Sequence, residues 1–193
     1  GKYLTKKADT LNEKLGYVIP YADSPFDHEN VGEEVYFHIL NHAKKYVHIM
    51  TPYLIIDQSM ITALTFAAKR GVDVKLILPH IPDKKFVFAL AKSHYKELLK
   101  AGVRIYEYTP GFVHAKIFTS DDEKAVVGTI NLDYRSLYLH FECAAFLYQV
   151  EEIAEIEKDF QRTLEKCQEV TPENRKKGTF FLRLEGWLLK WLA

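Results

Sequence analysis

MITALTFAAKRGVDVKLILP (Met60–Pro79) holds, in order, an amphipathic helical run, a glycine, a β-rich apolar run and a proline. The same plan fits two neighbouring stretches. His38–Lys45 leads into Tyr46–Thr51 and stops at Pro52; Lys84–Ala101 leads through Gly102 into Val103–Thr109 and stops at Pro110. Gly71 and Gly102 stand where a helix takes a left-handed closing residue, after the basic Lys69, Arg70 and Lys100 that suit a helix C-terminus. The strands that follow are rich in Val, Ile, Leu and Tyr. Asp83 is placed to cap the third helix. Such alternation predicts an α/β fold with a largely parallel sheet. Sites in these sheets form beyond the carboxyl ends of the strands. The segments after the three prolines, carrying Tyr53, His80 and His114, are therefore the ones to search.

Beyond Pro110 the plan changes. Val113–Thr119 and Lys124–Asn131 read as strands joined by the acidic turn Ser120–Glu123. The polar stretch Asn131–Ser136 precedes a strand over Phe141–Val150. Glu151–Gln168 reads as a charged helix with Ile153, Ile156, Phe160 and Leu164 on one face. A basic connector over Thr171–Gly178 then leads to a short, very apolar helix over Phe180–Leu192. The division expected is a linker over 1–15, one catalytic-type domain over 16–170, and the connector with an amphipathic C-terminal helix over 171–193.

At 193 residues and 48% hydrophobic content the chain suits a single globular domain with a real core. Lys+Arg and Asp+Glu balance at 26 each, so overall charge gives no reason to expect a nucleic-acid partner. The two cysteines, Cys143 and Cys167, have no zinc-type spacing, which points to a reduced, intracellular setting and a core role for Cys143. No apolar stretch reaches the roughly 20 residues that span a bilayer.

The chemistry concentrates in His114-Ala115-Lys116, followed by Asp121, Gly128, Thr129 and Asn131 in the spacing His-x-Lys-x4-Asp-x6-Gly-Thr-x-Asn. Alternation along a strand puts His114 and Lys116 on one face, and Thr129 and Asn131 on one face. An imidazole serves as nucleophile, base or acid near neutral pH. A lysine supplies fixed positive charge for phosphoryl oxygens, and threonine and asparagine supply neutral donors. Gly128 permits a close backbone approach beside them. Glu142, a carboxylate in an otherwise apolar strand, is the expected partner that orients His114.

These residues resemble the HKD motif of the phospholipase D superfamily: His114, Lys116 and Asp121, with Gly128–Asn131 as the downstream element. Thr51–Leu54, Tyr106–Phe112, Asn131–Ser136 and His140–Glu142 look like the C-terminal half of bacterial cardiolipin synthases, over about residues 16–170. The resemblance implies a phospholipase D-like half, a mixed, largely parallel sheet flanked by helices, in which two HKD motifs, from two halves or two subunits, meet at one site. It implies a phosphohistidine intermediate and no cofactor or metal. It implies phosphatidylglycerol as both donor and acceptor, with glycerol leaving. By it His114 is acid/base ahead of nucleophile, Lys116, Thr129 and Asn131 bind phosphate, and Asp121 is a structural partner. One departure matters: the chain holds a single such motif, since His42-Ala43-Lys44 lacks the Asp and Gly that should follow. A second half, or a second copy of the chain, is the expected partner.

Other residues carry weaker expectations. Tyr53, His80 and Arg135 are candidates for substrate contact, and Asp133 and Arg135 could instead pair with each other. His38 and His42 stand four apart on a helix, without a third metal ligand. Phe181, Trp187 and Trp191 fill one arc of the C-terminal helix, behind Arg175, Lys176 and Lys177, as an anchor on an anionic membrane would. Packing against a partner half is the equal alternative. The full-length protein is expected at the bacterial cytoplasmic membrane, this chain soluble or peripheral. Three functions fit: a phosphatidyltransferase half, a hydrolytic phospholipase D or nuclease, or a non-catalytic lipid-binding or dimerisation fragment.

Overall fold

The computed structural model describes residues 16–81 and 83–171. The expected helix over Phe180–Leu192, with Phe181, Trp187 and Trp191, lies outside them.

Fifteen elements follow one another: β1 (Tyr17–Asp23), α1 (Val31–His42), β2 (Tyr46–Met50), β3 (Leu54–Ile55), α2 (Gln58–Lys69), β4 (Asp73–Pro79), α3 (Lys85–Lys100), β5 (Arg104–Tyr108), β6 (Ile117–Ser120), β7 (Lys124–Gly128), β8 (Leu132–Asp133), α4 (Tyr134–Tyr138), β9 (Glu142–Tyr148), α5 (Glu152–Leu164) and β10 (Cys167–Glu169). The main sheet has eight strands in the order β1-β9-β7-β6-β2-β4-β5-β10. The helix–glycine–strand repeats account for its parallel core. The helical crossovers α2 and α3 carry β2 into β4 and β4 into β5, and both pairings are parallel. Gly71 and Gly102 have φ of 92° and 99° and close α2 and α3 as expected.

The sheet is mixed, but its parallel part is smaller than the repeats predict. The pairings β1–β9, β9–β7, β7–β6, β6–β2 and β5–β10 are all antiparallel. The tight turn at 120–123 explains β6–β7, because a short hairpin joins only antiparallel strands. Asp121 and Asp122 sit there at positive φ, a conformation aspartate tolerates better than most residues. At the opposite end, α5 stops at Leu164, and Cys167–Glu169 pairs with Tyr106–Tyr108 as an edge strand instead of prolonging the helix. β1 forms the other edge, where Pro20 lacks no ladder bond that matters.

Helices α1, α2 and α3 cover one face, with Ile39, Leu40, Leu64, Leu98, Leu76 and Phe118 in the main core. α5 covers the other through Phe160, against Met50, Ile77 and Tyr106, and through Ile153, against Ala125 and Leu147. Burying a side chain the size of Phe160 contributes about 2–3 kcal/mol, which fixes α5 where polar contacts complete the seam. There Glu157 accepts from Thr119 Oγ1 at 2.6 Å and meets His48 Nδ1 at 2.8 Å. His48 Nε2 lies 3.2 Å from Lys75 Nζ, and the imidazole stacks on Phe160 at 4.6 Å and on Tyr46 at 4.3 Å.

Two corrections concern single residues. Cys143 is exposed, not core, because Glu142 points inward and alternation turns its neighbour out. Asp83 does not cap α3. Its carboxylate accepts from Tyr53 Oη at 2.7 Å and from the Lys84 amide at 2.6 Å, and Lys84 takes the N-cap position.

Candidate active site at the end of the sheet

His114 and Lys116 lie in the irregular lead into β6, which begins only at Ile117. The expected strand therefore starts later, yet the two side chains converge. Lys116 Nζ is 3.0 Å from each ring nitrogen of His114 and donates to the His114 carbonyl at 2.7 Å. On this irregular backbone His114 is exposed and Lys116 half-buried at the rim, where a ligand can reach them. Burial lowers the Lys116 pKa from its ordinary value, against the raising effect of Glu142 and Asp133.

The downstream element wraps beside this pair. The Gly128 amide reaches the Lys116 carbonyl at 3.3 Å, which extends the β6–β7 ladder to the motif. A Cβ at Gly128 would lie 2.4 Å from both Ala144 Cβ and the Cys143 carbonyl oxygen. The close approach that this glycine permits is thus to β9, which brings Glu142 beside Thr129.

Glu142 does not meet His114. Its carboxylate accepts the Thr129 hydroxyl on one oxygen, and His140 Nδ1 lies 3.1 Å from the other. The Thr129 oxygen also accepts the Cys143 amide at 3.0 Å. Asn131 donates to Ser136 Oγ at 2.9 Å. The donor atoms expected on phosphate are therefore engaged within the protein here, and Lys116 remains as the positive group beside His114. From sequence, His140 carries no role beyond its place in the stretch His140–Glu142; it meets Glu142 from a bend just before β9, which strand alternation does not describe.

Asp121 lies at the far end of β6. One carboxylate oxygen takes the Lys44 amide at 2.8 Å; the other takes those of Lys45 at 2.8 Å and Tyr46 at 3.0 Å. Burial works against its charge, but these three amides prevail and lower its pKa. It joins the α1–β2 turn to the β6–β7 turn.

The crevice loops meet as the strand ends predict. Thr51 Oγ1 accepts the Leu132 amide at 3.2 Å, and β3 pairs with β8 in parallel, which ties the loop after β2 to the loop after β7. The rings of Tyr53 and Phe112 are 6.3 Å apart, and those of Phe112 and His114 are 6.0 Å apart. Tyr53 and Phe112 line a small pocket with Pro52, Pro79, Phe88 and Tyr95. His80 stands at the same end with Nδ1 2.8 Å from Glu107, whose other oxygen accepts from Tyr95 Oη at 3.2 Å. Arg135 is exposed and forms no ion pair with Asp133, which instead caps α4 through the Ser136 amide at 2.8 Å. His38 and His42 stack at 4.2 Å. Among the described residues no group of three or more His, Cys, Asp or Glu could hold a metal ion, and no helix is long and apolar enough to cross a membrane.

Known proteins resemble this chain in sequence and in fold. Residues 36–164 match the family described as "Cardiolipin synthase, PLD-like domain". The chain is 61% identical over 178 residues to an uncharacterized protein of Streptococcus mutans, covering 92% of this chain and 39% of that protein. It is 38% identical over 182 residues to a cardiolipin synthase of Halalkalibacterium halodurans, covering 94% of this chain and 36% of the relative. The chain thus spans little more than a third of the length of these relatives. Among solved structures, a phosphatidylserine synthase of Haemophilus influenzae superposes with a TM-score of 0.71 at 17% identity, covering 97% of this chain and 47% of the other. Nuc of Salmonella typhimurium, a phospholipase D family member, superposes with a TM-score of 0.67 at 16% identity, covering 80% and 98%. At such identities the structures speak for the fold.

Proposed function

The chain belongs to the cardiolipin synthase, PLD-like domain family, and from that premise we propose that it is one catalytic half of a phosphatidyltransferase that condenses two phosphatidylglycerol molecules to cardiolipin and glycerol. The observation that carries the reading is the convergence of Lys116 Nζ to 3.0 Å from the His114 ring nitrogens at an exposed sheet end. A histidine of the second half, from another segment or another copy, attacks phosphorus. A P–N bond forms, the P–O bond to glycerol breaks, and His114 gives the departing alkoxide its proton. His114 then takes the proton of the acceptor phosphatidylglycerol hydroxyl as that oxygen attacks phosphorus and the P–N bond breaks. Lys116 holds the phosphoryl oxygens throughout. Thr129 and Asn131 serve the phosphate by shaping the wall beside Lys116. Asp121 supports the motif from outside the reacting centre. The lipid substrate implies work at an anionic membrane surface, which for the full-length protein is the bacterial cytoplasmic membrane.

The test uses the chain together with its second half and vesicles of labelled phosphatidylglycerol. Cardiolipin and free glycerol form in equal amounts, and His114→Ala abolishes both. Phosphatidic acid as the main product would replace transfer by hydrolysis. Undiminished cardiolipin formation by His114→Ala would remove His114 from the chemistry.

A further inference from the structure

Among the described residues, His48, His80 and His140 stand on carboxylates outside the His114–Lys116 pair. His48 is closed: it is 4% exposed, and its second nitrogen faces Lys75. His80 is open, but its carboxylate, Glu107, serves Tyr95 and Lys92 and no residue of the motif. His140 is open and tied to the motif. Its side chain is 49% exposed on a carboxylate that is 6% exposed, and that carboxylate also holds Thr129. No described residue contacts its Nε2.

Glu142 accepts the Thr129 hydroxyl on one oxygen and meets His140 Nδ1 on the other, so Nε2 is the ring nitrogen left for a ligand. Glu142 opens β9, which neighbours β7, which neighbours β6. Lys116 is level with Gly128 and Gly128 with Ala144, so His140, four residues before Ala144, lies two strand spacings across and further toward the sheet end, on the order of 15 Å from the Lys116 backbone. Over that separation a phosphate on Lys116 needs a short, hydroxylated head group to reach His140.

We infer that His140 is a specificity-determining residue: its Nε2 binds the hydroxyl of a polyol phosphodiester whose phosphate lies on Lys116. The inference rests on the phosphatidyl-transfer reading and names the part of the head group that this half recognises. Glu142 fixes the ring, so that Thr129, Glu142 and His140 form one rigid wall from the motif to the alcohol. An alcohol held by an oriented imidazole outcompetes water as acceptor, because a buried or fixed polar group left unpaired is costly to any ligand lacking its partner.

Two measurements test this. In the transfer assay, His140→Ala raises KM for phosphatidylglycerol about tenfold and increases the share of hydrolysis, with kcat changed less than threefold. His140→Gln, whose amide reaches as far as Nε2, recovers most of the KM. A merely structural role would lower Tm and leave KM unmoved, and that result overturns the inference. Independently of turnover, nitrogen NMR of the histidine rings in the 193-residue chain is followed with glycerophosphoglycerol or inorganic phosphate as probe. His140 responds to the first and not to the second. A His140 signal that stays fixed with glycerophosphoglycerol overturns the assignment, whatever His114 does. Absence of transfer by the unaltered protein counts against the parent reading alone, since the titration needs no catalysis.

Discussion

Thr119, Glu157 and His48 make, between α5 and the sheet, the same contacts that Thr129, Glu142 and His140 make at the sheet end. In each a threonine hydroxyl donates to one carboxylate oxygen and an imidazole Nδ1 lies on the other. They differ in what surrounds the second ring nitrogen. His48 is stacked between Tyr46 and Phe160 and its Nε2 meets Lys75, so nothing can be added. His140 is half-exposed, and its Nε2 has no hydrogen-bond partner among the described residues. The same chemistry is therefore scaffold in one place and recognition surface in the other. Closure, not residue type, decides between them.

The largest effect belongs to the open region. His114→Ala should cost transfer activity about a thousandfold or more while leaving Tm close to that of the parent. An equal loss from His48→Ala in a folded, thermally unchanged protein would break the distinction. Next comes the closed region's stability. Glu157→Ala leaves a buried imidazole and a buried threonine hydroxyl without their partner, at about 3 kcal/mol, or roughly 6–12 °C in Tm at this size. Glu142→Ala should cost less, about 1–2 kcal/mol, because His140 can turn to water, yet it should impair turnover more than Glu157→Ala does. Thermal unfolding and initial rates on the same samples decide this.

Acid sensitivity is a smaller effect. For Glu157, burial raises the pKa, but hydrogen bonds from His48, Thr119 and Gln161 outweigh it and the net shift is downward. Asp121 is lowered too. Between the unfolded and folded values the unfolded chain binds more protons. The stabilisation is therefore complete above the ordinary carboxylate range near pH 4 and is lost as pH falls through the depressed folded values. Unfolding free energy against pH should drop steeply below about pH 4, and less steeply in Glu157→Gln. Smallest is the change at Lys116. Burial lowers its pKa, so the charged form is disfavoured in the folded state below that folded value. Lys116→Met should leave Tm unchanged or slightly raised at neutral pH while phosphate binding is lost. A clear fall in Tm would mean that the ammonium stabilises the fold.

Local signals were legible in the sequence and lateral ones were not. Gly71, Gly102 and the three strand-ending prolines act on their own neighbours, so α2, β4, α3 and β5 emerge within about two residues of where the signals put them. The helix expected over Glu151–Gln168 overruns into β10 because Cys167 and Gln168 directly follow a helical run, and only the pairing with β5 makes Cys167–Glu169 a strand. β3 and β8 are two residues each and exist through one another. At the site, alternation sufficed to join His114 to Lys116. It could not say which histidine Glu142 would meet, because that depends on where β9 lies beside β7. The His140 pairing, made at a bend just before β9, and the engagement of Thr129 and Asn131 inside the protein both needed the three-dimensional arrangement.

Asp121 bears on how damage to this protein would look in a living cell. It belongs to the HKD motif by sequence, yet it fastens three amides at the strand end remote from His114. A defect there is a defect of assembly. Asp121→Ala should behave as a conditional allele, functional in cells grown cool and lost when they are warmed. A lesion at His114 should be equally silent at every temperature, and no chaperone could relieve it.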